Sequence, residues 1–259
     1  MNKKRIMKYT FFILLIVFFC LITKTPYQKV YKINVIEEEN NNILVDDFNG
    51  KLNTRFWNAV EQGESYNNDL QYYNPKNISI IDGLLELVAK KENFKDHNYT
   101  SGMITTKGKF EFLYGKIIFK IRPAVGNGLL SAAWLLPADD SLFPEVDMME
   151  VLGNKGEDEI WTGIHYKDLD GSSRKKFTNI KNENDFAIYE IEWNEKEIKG
   201  YINNKLIYKS EVGIPNKKMY LILNLAVGGN WPGQPNNDIF PVKTVIDYVI
   251  IIPKHLNMP

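Results

Sequence analysis

Cysteine and histidine are scarce in this sequence of 259 residues, and their scarcity excludes several kinds of site. The single cysteine, Cys20, can form neither an intramolecular disulfide nor a cysteine-based zinc site. The three histidines, at positions 97, 165 and 255, share no close spacing, so an HExxH metal site is absent. A P-loop and a GxGxxG motif are also missing, and the sequence does not support a nucleotide-dependent or metal-dependent enzyme.

Net charge is absent as well, because 32 basic side chains balance 32 acidic ones. This balance argues against a nucleic-acid-binding protein, which normally carries a basic excess. The balance is uneven along the chain, since the first 24 residues contain five basic and no acidic side chains. The remainder has 27 basic and 32 acidic side chains, and therefore a net charge of −5.

The N-terminal basic cluster precedes an uncharged apolar run over residues 10–23. This run is shorter than the roughly 20 residues that a helix needs to span a bilayer, and its length is typical of a signal-peptide core. No small-x-small cleavage site follows, so a cleaved signal peptide and an uncleaved anchor over residues 1–25 both stay open. Either one places the body outside the cytoplasm, secreted or anchored to the membrane. Residues 26–42 are polar and are expected to form a linker.

Long amphipathic helices are not indicated either. From residue 43 onward, short alternating apolar and polar runs recur between turn residues, which is typical of β-strands. Two pairs of runs predict hairpins, one around Asp82-Gly83 and one around Asn203-Asn204. The runs 218–227 and 243–252 are almost continuously apolar, as expected for strands covered on both faces. Residues 43–259 are therefore predicted to form one all-β domain, a sandwich or jelly roll.

Three carboxylates lie close together in the segment 144–151. In a regular strand Glu145 and Asp147 share a face, and a β-bulge at Met148-Met149 would bring Glu150 onto the same face. Two glutamates leaning inward would then hold their carboxyl groups about 5–6 Å apart, which matches the spacing of about 5–5.5 Å in retaining glycosidases. Carboxylates this close raise at least one pKa, as a general acid requires. A solvated acidic strand face or a calcium site is the alternative interpretation.

The segment EVDMME, residues 145–150, resembles the ExDxxE signature of glycoside hydrolase family 16 in the bulged form of laminarinase-like members. Further blocks are similar to the family in the same order, so that the resemblance covers about residues 43–252. These blocks are DLQYYNPKNISIIDGLLEL (69–87), GLLSAAWLLP (128–137), GIHY (163–166), NLAVGGNWPG (224–233) and VIDYVII (245–251).

The resemblance implies a concanavalin A-like jelly-roll sandwich with a concave cleft for a polysaccharide. It implies a retaining endo-glycosidase acting on β-linkages. The expected substrate is a β-1,3-glucan or a mixed β-1,3/1,4-glucan. Glu145 takes the nucleophile position, Asp147 the assisting position and Glu150 the acid/base position. No cofactor is expected for catalysis, and a monomer is expected. A transglycosylase, a β-galactan-active member and a catalytically silent carbohydrate-binding module stay open as alternatives.

The same resemblance implies further site residues. Trp134 and Trp231 are expected to stack against sugar rings, with core packing as the alternative. His165 is expected to hydrogen-bond to Asp147 or to the sugar, and the cleft is also expected to include Asn77. Asp247 and Gly83 match positions that bind a structural calcium ion in relatives, so a structural calcium site is expected there.

Overall fold

The alternating runs of the sequence form strands in the computed structural model, which describes residues 43–64, 67–154, 157–168, 170–181 and 185–254. The predicted leader and linker lie outside these residues and stay predictions. Among the described residues, no helix combines the length and the apolar character needed to cross a membrane. The strands are β1 (Leu44–Asp46), β2 (Asn58–Ala59), β3 (Gln71–Tyr73), β4 (Ile78–Ile81), β5 (Leu84–Phe94), β6 (His97–Ser101), β7 (Met103–Thr105), β8 (Gly115–Arg122), β9 (Leu129–Pro137), β10 (Glu145–Asn154), β11 (Glu157–Lys167), β12 (Ser173–Lys181), β13 (Ala187–Trp193), β14 (Ile198–Ile202), β15 (Lys205–Ser210), β16 (Met219–Val227) and β17 (Val242–Pro253).

Two sheets contain all of these strands. The larger sheet has the order β15-β14-β13-β8-β17-β5-β6-β3, with β1 paired to β17 and β4 paired to β5. The smaller sheet has seven strands in the order β12-β11-β10-β9-β16-β7-β2. Two short 3-10 helices, Pro75–Asn77 and Asn237–Ile239, lie in the connections. The predicted all-β sandwich is confirmed.

The core lies between the two sheets, and β16 shows how the sequence builds it. Every residue of Met219–Val227 is buried, as its continuous apolar run predicts. Leu221, Leu223 and Leu225 belong to the main core, because alternate residues of a strand point to one face. The residues between them point to the other face of the small sheet, where Asn224 is the polar exception. One strand therefore contributes both to the core and to the floor of a cleft.

Both predicted hairpins form as expected. Ile81 pairs with Leu84 across Asp82-Gly83, and Ile202 pairs with Lys205 across Asn203-Asn204. All four turn residues have positive φ, between 48° and 72°, which is the backbone conformation of a type I′ turn. Glycine, asparagine and aspartate tolerate this conformation better than other residues, which is why their positions in the sequence located the turns.

Candidate active site

The predicted β-bulge is present in β10, which lies between β9 and β11 in the small sheet. Asp147 pairs with Gly163 and Glu150 pairs with Trp161, so Met148 and Met149 together occupy the place opposite Thr162. Both methionines are buried, with exposures of 2% and 0%. The bulge accommodates the extra residue and so returns Glu150 to the face that carries Glu145 and Asp147.

This face of the small sheet forms the floor of a cleft. A first cavity of about 230 Å³ is lined by alternate residues of β7, β9, β10 and β16 and by the segment before β3. The regular alternation of strand side chains explains why positions two apart recur in its lining. Residues that line it from β9 and β16 are Leu130, Ala132, Trp134, Leu136, Tyr220, Ile222, Asn224 and Ala226.

A second cavity of about 490 Å³ adjoins the first one. Aromatic rings dominate its wall, and its lining residues outside the carboxylate group are Asn67, Trp161, His165, Lys175, Phe177 and Trp231. Glu145, Glu150 and Asn67 line both cavities. The two glutamates therefore lie where the halves of the cleft meet, with room for a ligand on either side of them.

Asp147 is the most deeply buried member of the carboxylate group, with 1% of its surface exposed. Neither carboxylate oxygen accepts a hydrogen bond from a described N–H or hydroxyl group. Burial, followed by the negative charges of Glu150 and Glu145, raises the pKa of Asp147 well above its usual range. A carboxyl group in this environment keeps its proton and can donate it in a hydrogen bond to Glu145.

The two glutamates differ in what surrounds them. Burial raises the pKa of Glu145 to about 7, and the hydrogen bond with Asp147 opposes this rise. Burial and the charge of Glu145 raise the pKa of Glu150 to about 8. Both carboxyl groups therefore titrate near neutral pH, and the pair can hold a single proton. One carboxylate and one carboxylic acid on the same cleft floor are the pair that a double-displacement glycosidase needs.

His165 faces the carboxylates from the neighbouring strand, where it pairs with Glu145. Its Nε2 lies 3.7 Å from Oδ2 of Asp147, which is too long for a hydrogen bond. Burial, and then the charge of Lys175, lowers the pKa of His165. The imidazole is therefore neutral near pH 7, and the pair with Asp147 is a contact between neutral groups, not a salt bridge. The expected hydrogen bond to Asp147 is absent, and a bond to the sugar stays a prediction.

The ligand atoms of Glu145, Asp147 and His165 lie within 4.8 Å of one another. This is the one grouping of three acidic or histidine side chains at such distances among the described residues. Raised carboxyl pKa values and a neutral imidazole suit proton transfer, which is the chemistry that a retaining glycosidase requires of this site.

Trp134 lines the first cavity beside the carboxylates, as expected for a sugar platform. Its indole Nε1 donates to Oδ1 of Asn224 at 2.9 Å, and Nδ2 of Asn224 donates to the hydroxyl of Tyr73 at 2.9 Å. These two hydrogen bonds hold the indole ring in place on the cleft floor. Tyr73 and Asn224 were not predicted as site residues, because strands β3, β9 and β16 meet only in the folded sheets.

Trp231 is 39% exposed and lines the second cavity. Its ring meets that of Trp161 at 5.7 Å in an edge-to-face contact, so the second cavity has two indole walls. A main-chain hydrogen bond joins the loop of Trp231 to the segment of Asn67, since the backbone N–H of Asn230 donates to the backbone carbonyl of Asn67 at 2.8 Å. The structure thus places Trp231 at the second cavity, and its stacking role stays a prediction. Trp161 was not predicted, although its position one strand over from Glu150 makes it a site residue.

The prediction for Asn77 is corrected by the structure. Asn77 is 2% exposed and ends the first 3-10 helix. Its Nδ2 donates to the carbonyl of Val88 at 2.7 Å and to Oγ1 of Thr100 at 2.9 Å. Asn77 lines neither of the two cavities, and its amide is already engaged. It therefore stabilises the packing of β5 and β6 and is not a lining residue of these cavities.

Asp247 lies in the middle of β17, next to the residue Ile246 that pairs with Leu85, and Gly83 lies in the turn that precedes β5. Oδ2 of Asp247 is 3.0 Å from Nζ of Lys120, so an ammonium group already neutralises this carboxylate. Calcium takes six to eight oxygen ligands, so it would have to compete with Lys120 for this carboxylate. The structural calcium stays a prediction, and no step below depends on it.

Comparison with known proteins agrees with this geometry. The sequence model described as "Glycosyl hydrolases family 16" matches residues 65–249, which include the three carboxylates. A beta-glucanase of Rhodothermus marinus is 30% identical, and the alignment covers 78% of this chain and 81% of that protein. Glucan endo-1,3-beta-glucosidase A1 of Niallia circulans is 32% identical over 81% of this chain, which spans 37% of that larger protein.

Among solved structures, the laminarinase catalytic domain of Thermotoga maritima MSB8 superimposes with a TM-score of 0.72 and 30% identity. The superposition covers 82% of this chain and 97% of the Thermotoga domain. A family match over most of the chain, a shared jelly-roll fold and a carboxylate trio at the centre of the cleft lead to one conclusion: this chain belongs to glycosyl hydrolase family 16.

Proposed function

We propose that this glycoside hydrolase is a retaining endo-glycosidase that cleaves internal linkages of a β-1,3-glucan or a mixed β-1,3/1,4-glucan. The position of Glu145 and Glu150 between the two cavities carries the proposal, because sugar units can bind on both sides of the reacting bond. The beta-glucanase and laminarinase relatives support a glucan as the substrate.

In the first step of this mechanism, the Glu145 carboxylate attacks the anomeric carbon while Glu150 donates its proton to the glycosidic oxygen. The bond between the anomeric carbon and that oxygen breaks, and the reducing-end fragment leaves with the proton. A covalent glycosyl ester on Glu145 remains. Burial keeps Glu150 protonated near neutral pH, which is the state that this step requires.

In the second step, Glu150 is a carboxylate and accepts a proton from a water molecule, whose oxygen attacks the anomeric carbon. The ester bond to Glu145 breaks, Glu145 leaves as a carboxylate, and two inversions give net retention. Asp147 acts beside Glu145, because its carboxyl group can donate a hydrogen bond that stabilises the negative charge of that carboxylate before attack and after release.

Product analysis with the purified protein tests the proposed substrate. We expect laminarin and lichenan to yield a series of oligosaccharides, with a rapid fall in viscosity and an initial β-anomer by NMR. Products from agarose but not from either glucan would favour the β-galactan alternative. Binding of a polysaccharide without any product would favour the carbohydrate-binding alternative, and longer oligosaccharides in the presence of an acceptor sugar would favour transglycosylation.

The pH dependence of kcat/KM should follow the raised pKa values of the two glutamates. Activity needs Glu145 deprotonated and Glu150 protonated, so kcat/KM rises as the pH passes about 7 and falls as it passes about 8. The apparent pKa values of the rising and falling limbs of this profile belong to the interacting carboxyl groups together and not to single residues. Initial rates from pH 4.5 to 9.5 on one soluble glucan check this. Full activity at pH 5 would contradict it, because Glu145 would then ionise at its ordinary pKa.

A further inference from the structure

Thr162 of strand β11 is a polar side chain on the core face, where apolar residues are expected. Ile160 and Ile164 face the core with exposures of 3% and 0%, as the alternation of the strand requires. Thr162 lies between them on the same face and is 1% exposed. A buried hydroxyl costs free energy unless it forms a hydrogen bond, so its partner is the feature to explain.

The partner of Thr162 is the main chain of the catalytic strand. Oγ1 of Thr162 donates to the carbonyl oxygen of Asp147 at 3.0 Å. Thr162 is the residue opposite the two bulged methionines, so this bond lies at the irregularity of the β10–β11 ladder. A bulge leaves part of the ladder without its regular pairing, and a side-chain donor at this point compensates for it.

From this contact we infer that Thr162 is a positioning residue, whose hydroxyl holds the bulge that sets Glu150 beside Glu145. The inference rests on the proposed function and adds to it a residue on the far side of the sheet. Successive residues of a regular strand alternate between faces, so without the bulge Met149 would face the cleft and Glu150 the core. The spacing of the two glutamates therefore depends on main-chain geometry at the point that Thr162 contacts.

Thr162 can act only through the strand, because it lines neither cavity. Above it in the core lies Gly200 of the opposite sheet, where an added Cβ would stand 3.6 Å from Oγ1 of Thr162. A change from threonine to valine keeps the branched shape in this space and removes only the donor. Any effect on catalysis would then come from the main chain of Asp147 and not from lost contact with the substrate.

The Thr162→Val variant tests the inference. We expect kcat on a cleaved glucan to fall about 10- to 100-fold, since small misplacements of reacting groups have effects of this order. KM should stay within about twofold, because no sugar contact is removed. The descending limb of the pH profile should also move, because displacement of Glu150 changes its burial and its distance from the charge of Glu145, the two causes that raise its pKa.

Two further variants separate positioning from general stability. Thr162→Ser keeps the hydroxyl and should restore most of kcat and the pH profile. Thr178→Val makes the same chemical change at the residue of β12 that pairs with Thr162. This variant should leave kcat and the pH profile unchanged. Wild-type kcat and pH profile in Thr162→Val, or equal losses in Thr162→Val and Thr178→Val, would overturn the inference. If Thr162→Val fails to fold, Thr162→Ala replaces it, with the same expected and contrary results.

A readout independent of turnover distinguishes this inference from the proposed function. Carboxyl-carbon NMR titration of Glu150 in the wild-type protein and in Thr162→Val measures the pKa whether or not a glucan is cleaved. A changed pKa of Glu150 in the variant supports the positioning role, and an unchanged pKa refutes it. Absence of glucan cleavage by the wild type would refute the proposed function alone.

Discussion

Glu145→Gln is expected to lower kcat on a glucan by at least about 10⁴-fold, since loss of a catalytic nucleophile has effects of this order. Glutamine has nearly the same shape as glutamate, so binding and folding should be preserved. Its amide cannot form the glycosyl ester, and the first step of the reaction is therefore blocked. Initial rates of reducing-sugar release, with KM or binding affinity measured beside them, check this expectation.

Chemical rescue of Glu145→Ala gives a sharper test of the nucleophile. The shorter side chain leaves room for azide, which can attack the anomeric carbon from the side that Glu145 occupied. With a substrate that carries an activated leaving group, a single displacement should yield an α-glycosyl azide. A β-glycosyl azide from this variant would contradict the assignment, because it would place the nucleophile elsewhere. Residual hydrolysis above about 1% of the wild-type rate in Glu145→Gln would contradict it as well.

The stability of Glu145→Gln separates lost chemistry from lost structure. The folded-state pKa of Glu145, about 7, lies above the ordinary value of 4.5, so the folded protein binds more protons than the unfolded chain between these pH values. The stability contribution of Glu145 therefore decreases as the pH rises from about 4.5 to about 7. The glutamine variant lacks this penalty, and at pH 8 its melting temperature should equal or exceed that of the wild type.

Glu150→Gln is expected to show a loss that depends on the leaving group. With a glucan, whose leaving alcohol needs a proton, kcat/KM should fall by about 10²–10⁴-fold, the range of general acid catalysis. With an aryl glycoside whose phenolate leaves without a proton, the first step should be nearly as fast as in the wild type. The glycosyl ester should then accumulate, because Glu150 is also the base for water attack, and a burst of phenolate should be seen.

Azide should restore turnover of the Glu150→Ala variant with the opposite stereochemistry. Here the glycosyl ester on Glu145 forms first, and azide attacks it from the other face to give a β-glycosyl azide. The descending limb of the pH profile should also disappear, because its cause is the ionisation of Glu150. Equal losses on activated and unactivated substrates would contradict the acid/base role. Glu192→Gln, on β13 of the large sheet, serves as a matched control and should behave like the wild type.

The alternation of apolar and polar residues and the residue types of turns are local properties of the sequence. They were sufficient to predict the β-bulge, two hairpins and a buried strand. The spacing of Glu145, Asp147 and Glu150 required a bulge if all three were to share a face, and the bulge lies where it was expected. Asp82-Gly83 and Asn203-Asn204 located two hairpins because few other residues adopt positive φ at low cost. The continuous apolar run of β16 likewise predicted a strand that is buried on both faces.

Only the tertiary structure decided the surroundings of the carboxylates. Tyr73 and Asn224 are 151 residues apart in sequence, and the pairing of distant strands joins them into the chain that holds Trp134. Asn77 was misassigned because its sequence does not reveal that Val88 and Thr100 already accept its hydrogen bonds. The raised pKa values of the two glutamates have the same origin, since burial is a collective property of packed sheets. Local rules thus placed the reacting groups on one face, and long-range packing set their environment and their protonation.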